Sequence, residues 1–137
     1  MSQKDFEVRC ELAALYRILH MYGMTDLANQ CAGARSIENK DNSFVHPYGM
    51  FYEEITASSL VKINKDGKAV ENENPWLNDG CNNLAKWIFN ARNDVNFYVH
   101  GHANDVMAVG GTKEGLMYLS QAAVYLNHLV GYIDYEF

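Results

Sequence analysis

The stretch Val95-Asn96-Phe97-Tyr98-Val99-His100-Gly101-His102 constrains the fold more than any other part of the chain. It reads as a buried strand that ends in two histidines one residue apart. Side chains alternate faces along a strand, so His100 and His102 are expected to point the same way. Two imidazoles on one face at a strand's end can share a metal ion, and catalytic zinc sites often use two or three of them. Alone, the pair also fits two ordinary polar residues at a strand end. The neighbouring segments decide between these readings.

The 137 residues suffice for one domain with a real core, and not for two. About half are apolar and Tyr is abundant, which describes a folded chain. The charge is moderately acidic and no Lys/Arg run is present. Nucleic acid and anionic membrane are therefore not expected partners. No apolar run approaches the ~20 residues of a membrane span, and Met1 to Asp5 is polar rather than a leader. Cys10, Cys31 and Cys81 are odd in number and widely spaced. That fits reduced thiols in a cytoplasmic protein rather than a disulfide framework.

Phe6 to Tyr22 reads as an amphipathic helix, with Phe6, Leu12, Ala13, Leu15, Tyr16, Ile18, Leu19 and Tyr22 on its stripe and Gly23 as its stop. Glu7, Arg9, Glu11 and Arg17 fall mostly off that stripe. Thr25 or Asp26 can cap a short helical turn, and Cys31 to Ala34 is small enough for a closely packed strand. Ser36 to Asn42 is a loop, Ser43 to His46 a short strand, and Met50 to Tyr52 another. Glu53 to Leu60 looks like a single helical turn. Val61 to Val70 forms a hairpin around Asp66-Gly67. Trp76 to Arg92 reads as a second helix, buried along Leu84, Trp87, Ile88 and Ala91. Beyond the histidines, a short helix is expected at Asp105 to Val109, a strand at Leu116 to Leu119, a helix capped by Ser120, and a last strand at Val130 to Tyr135. Irregular alternation with one clear hairpin suggests a mixed, largely antiparallel sheet with helices against it.

In order, these motifs resemble the class II aldolase/adducin domain family. The matching pieces are Leu15-Tyr16-Arg17, Tyr22-Gly23, Pro47-Tyr48-Gly49, Glu53 to Val61, Asp66-Gly67, Ala91-Arg92, Asp94-Val95-Asn96, Val99-His100-Gly101-His102, Leu119-Ser120-Gln121 and Tyr135. The Glu-Ile-Thr-Ala-Ser-Ser-Leu-Val segment looks nearer the adducin-like branch. The resemblance implies an α/β fold, a three-layer α/β/α sandwich around a mostly antiparallel sheet, assembled as a homo-oligomer, usually a tetramer. It implies zinc or another divalent metal on His100 and His102, with a small carbonyl or sugar-like substrate. Gly49 matches the family's phosphate-contacting loop, and Asn29 matches a second substrate contact.

Four departures accompany the resemblance. The family's proton-transferring glutamate falls on Cys81, and Glu73 lies on the far side of Pro75. Asp79 stands where the aldolases place phosphate-binding serines and would repel a phosphate. Ala85 replaces a histidine common in adducin-like members. Residues 1–137 are also expected to be a single domain lacking the family's C-terminal portion, which carries the third histidine. His46, His128 or Cys81 would become a third ligand only if the fold brought them close. Two functions follow as expectations: a zinc-dependent carbon–carbon lyase with Cys81 at the catalytic position, or a non-catalytic adducin-like interaction domain. A third, a Cys31/Cys81 redox pair, has no support in the local charge pattern.

Overall fold

In the computed structural model, described over residues 2–27, 29–71 and 75–134, the first helix starts at a serine cap. The Ser2 hydroxyl accepts from the Asp5 N–H at 3.2 Å, and α1 spans Gln3–Met21. Its end is at Gly23, with φ +65° and an N–H donated back to His20.

The buried stripe of α1 differs from the apolar one. It comprises Asp5, Val8, Arg9, Leu12, Ala13, Tyr16 and Leu19, while Phe6, Ile18 and Tyr22 are exposed. Arg9 is 4 % exposed. Its guanidinium donates to the Leu60 carbonyl at 2.6 Å, pairs with Glu71, and lies 4.5 Å from the Phe44 ring centre. The Asp5 carboxylate accepts from Ser36 Oγ, from the Ile37 and Glu38 N–H groups, and from Lys62 Nζ at 3.0 Å. Both charges are buried against partners distant in sequence, although Arg9 Nε has no hydrogen-bond partner among the described residues.

Four strands follow: β1 (Cys31–Arg35), β2 (Ser43–Val45), β3 (Val61–Ile63) and β4 (Phe97–His100). They lie in the order β3-β2-β1-β4, every pair antiparallel. Alternation divides the sheet's side chains between two cores. Ala32, Ala34 and Phe44 join Leu12 and Tyr16 of α1. Cys31, Val45, Val61, Ile63 and Tyr98 meet α2 (Asp79–Ala91) through Cys81, Ala85 and Phe89. Helix, sheet and helix therefore form three layers, as the family resemblance implies.

Several local expectations are replaced. Tyr52–Glu54 is a 3-10 turn rather than the end of a strand, and no helix forms at Thr25 or Asp26. The hairpin keeps Gly67 at φ +80° and the Ile63–Ala69 bridge, but its second arm is only that bridge. Asn78 caps α2 through the Cys81 N–H, so the helix begins later than Trp76. Its buried face is Cys81, Ala85 and Phe89, and Trp87 is 60 % exposed. Arg35 fixes the other end of α2. It donates to the carbonyls of Phe89 (2.7 Å), Arg92 (2.9 Å), Val95 (3.1 Å) and Lys40 (2.9 Å), and stacks over the Phe89 ring. A cation on the terminal carbonyls satisfies groups the helix leaves open.

Contacts divide the chain into two units, Met1–Gly101 and His102–Phe137. The second contains α3 (Asn104–Gly110) and α4 (Gln121–Asn127), the latter capped by Ser120 Oγ on the Ala123 N–H. The Tyr132 hydroxyl accepts from the Leu116 N–H at 2.5 Å. Leu116 to Leu119 and Val130 to Asp134 are not strands, because no neighbouring segment among the described residues supplies a ladder. Tyr135 lies outside the described residues. No helix among them is long and apolar enough to cross a membrane.

Candidate functional site

The antiparallel register gathers the candidate residues of the first unit at one end of the sheet. Cys31, where β1 begins, is the cross-strand partner of His100, where β4 ends. β2 runs out at that same end, since Gly33 pairs with Val45. Asn29, two residues before β1, thus leaves the sheet beside His100, and the Pro47-Tyr48-Gly49 turn follows β2 there. Asn29 is exposed, its N–H donating to the Asp26 carbonyl at 2.9 Å. Gly49 is exposed with φ +91°, a conformation that favours glycine. The turn is held by the Tyr48 N–H on the Trp76 carbonyl (2.8 Å) and by edge-on packing of the two rings. Trp76 leads into α2, so the Cys81 end of that helix is tied to the same region.

His100 is half-buried and shares a sheet face with Tyr98 and Cys31. β4 is not the fully buried strand expected from its composition. It is the last strand in the order, and Phe97 and Val99 on the α1 side are exposed. α1 packs on β1 and leaves that strip open. The ladder ends at His100, so strand alternation no longer fixes the direction of His102, which opens the second unit.

Cys81 is the third residue of α2 and is 6 % exposed. It shares a buried cluster with Cys31, which is 0 % exposed. The two thiols shift each other in opposite directions. The Cys31 thiol is pushed up by the Cys81 sulfur and by burial, while Cys81 is lowered because Cys31 hydrogen-bonds to it. The Tyr98 hydroxyl lies over the pair, 3.8 Å from Cys31 Sγ and 3.2 Å from the Cys81 carbonyl. Nothing in the local sequence around either cysteine signals this meeting, since a strand and a helix far apart in the chain produce it. Gly33 makes room for the Tyr98 ring, which an added Cβ would overlap.

His46 turns to the opposite core. It is 3 % exposed, with Nδ1 2.8 Å from the Tyr16 hydroxyl and its ring packed edge-on against Tyr16 and Tyr52. It is therefore not brought to the His100 face as a third ligand. His128 is the exposed C-cap of α4. Glu73 lies outside the described residues. Among the described residues, no group of three or more His, Cys, Asp or Glu side chains is arranged to hold a metal ion. Imidazole suits zinc, so His100 and His102 match its donor chemistry, but they form an incomplete set against the three protein ligands usual in catalytic sites.

The sheet order, the two flanking helices and the loop cluster define a class II aldolase-type fold. The family profile described as Class II Aldolase and Adducin N-terminal domain matches residues 10–137, and the chain belongs to this family. A Caulobacter vibrioides protein named "Putative aldolase class 2 protein" is 33% identical over 136 residues, covering 99% of this chain and 53% of its own length. Alpha-adducin of Rattus norvegicus is 35% identical over 131 residues, covering 94% of this chain and 18% of its own. The crystal structure of an aldolase II superfamily protein from Pseudomonas syringae superposes with a TM-score of 0.94 at 32% identity, over 99% of this chain and 55% of that one. The chain thus spans about half the length of the aldolase-type relative.

Proposed function

We propose that this chain forms a single metal-dependent aldolase-type lyase domain acting on a small hydroxy-carbonyl compound, with His100 and His102 as two ligands of a zinc or other divalent ion. The observation that supports this reading is His100 where β4 ends, at the end of the sheet to which Asn29 and the Gly49 turn also lead, with His102 two residues on in the sequence. A bound ion supplies Lewis-acid polarisation of the substrate carbonyl. The chain's own part is binding and orientation. The exposed Asn29 amide and the open backbone at Gly49 serve as polar contacts for hydroxyl or anionic groups. Asp79, exposed in the first turn of α2, disfavours a phosphate near that helix end. The domain acts as a cytoplasmic homo-oligomer, a tetramer by family analogy.

The test is elemental analysis of zinc-loaded protein followed by an aldol-cleavage assay. Near-stoichiometric zinc is expected, and its loss in the His100→Ala/His102→Ala double variant. A clean apo protein that takes up no zinc overturns the reading.

One observation favours a second reading, an adducin-like domain without catalysis. Cys81, which by the resemblance falls at the family's glutamate position, is buried in one cluster with Cys31 rather than open to a substrate. This reading expects zinc-loaded protein to show no turnover, together with a self-associating surface. A measurable activity that Cys81→Ala or His100→Ala abolishes would remove it.

A further inference from the structure

We propose that Cys31 and Cys81 form a redox pair that closes a reversible disulfide between β1 and the first turn of α2. Three observations place the two residues together independently of any metal or substrate. α2, which carries Cys81, packs on β1, which carries Cys31, and each thiol is the largest influence on the other. Both belong to one core cluster with Val45, Ile63 and Phe89. The Tyr98 hydroxyl bridges them, touching the sulfur of one and the carbonyl of the other. Both are free thiols in this structure, and the remaining cysteine, Cys10, is exposed on α1.

The oxidant class is a small hydroperoxide, because larger disulfides cannot reach sulfurs this deep. Cys81 is the entry point, since Cys31 is completely covered and Cys81 is not. The Cys81 sulfur attacks one peroxide oxygen. The O–O bond breaks, the thiol proton leaves with the departing oxygen as water, and Cys81 becomes a sulfenic acid. The Cys31 sulfur then attacks the Cys81 sulfur. The S–S bond forms, the S–O bond breaks, and the hydroxyl leaves with the Cys31 proton as a second water. The two thiols lose two electrons and two protons, and one hydrogen peroxide becomes two waters. A small dithiol reverses the step by exchange. Disulfides in reducing compartments are usually transient and redox-sensing, the use expected of such a pair.

The test uses the whole chain carrying Cys10→Ser, which leaves only the two buried thiols. The folded protein is treated with hydrogen peroxide, quenched, unfolded and alkylated. The expected product is lighter by two hydrogens, takes up no alkylating reagent, and yields a cross-linked peptide joining Cys31 to Cys81. Dithiothreitol is expected to restore both alkylation sites. In Cys10→Ser/Cys81→Ser no such product is expected, and Cys31 resists alkylation until unfolding. Two results would overturn the proposal: full alkylation of both thiols after peroxide, or Cys81 carried to a sulfinic acid with Cys31 untouched. The assay needs neither zinc nor substrate, so its failure is separate from failure of the lyase reading.

Discussion

Tyr16 has one hydroxyl proton, and the Ala32 carbonyl takes it at 2.6 Å. The same oxygen accepts the Ala32 N–H at 2.9 Å. His46 Nδ1, 2.8 Å away, must then be the donor of that third contact, so the ring is the neutral Nδ1–H tautomer. Its Nε2 has no hydrogen-bond partner among the described residues, and burial lowers the pKa from 6.5 to about 4. The unfolded chain therefore binds this proton more readily than the folded one. Stability from the neutral ring is complete above pH 6.5 and is lost as pH falls toward 4. At 1.36 kcal/mol per unit this amounts to about 3 kcal/mol. Urea unfolding across that window should show wild type losing this much more than His46→Gln, and identical slopes would refute the assignment. In the sequence His46 is a histidine before a proline. Its burial depends on Tyr16 and Tyr52 closing over it, which no local pattern states.

The elements themselves were largely legible. The helix over Phe6 to Tyr22, the small-residue strand from Cys31, the Asp-Gly turn and the Ser120 cap all appear, because each follows from local periodicity or turn chemistry. The faces were less so. Arg9 and Asp5 belong to the buried side of α1 because Lys62, Glu71 and Leu60, distant in the chain, reach them there. α2 presents Cys81, Ala85 and Phe89 rather than Trp87, because Tyr98 and Arg35 dictate what that surface meets. Arg35 offers an element-scale test. Its guanidinium serves four carbonyls, so Arg35→Met should lower stability by on the order of 3 kcal/mol. Arg35→Lys should recover less than half, since a single ammonium lacks the planar fork. Full rescue by lysine in thermal unfolding would show that charge alone matters.

On the scale of the whole molecule the two units differ in how much they bury. The first carries two cores on opposite faces of one sheet. In the second, only Gly115 and Ala123 are buried among the described residues. Local opening costs least where few apolar contacts hold the backbone. Hydrogen exchange should therefore run roughly a hundredfold or more faster in α3 and α4 than in β1 and β2. Comparable protection in both units would contradict the burial pattern. The sequence by itself determined the family, the helices, the turns and the His-Gly-His at a strand's end, since these are set by neighbours in the chain. Only tertiary structure decided which charges are buried, which end of the sheet gathers Asn29, Gly49 and His100, and that Cys31 meets Cys81. Those facts depend on antiparallel register and on a helix laid across it, which join residues that the chain itself keeps far apart.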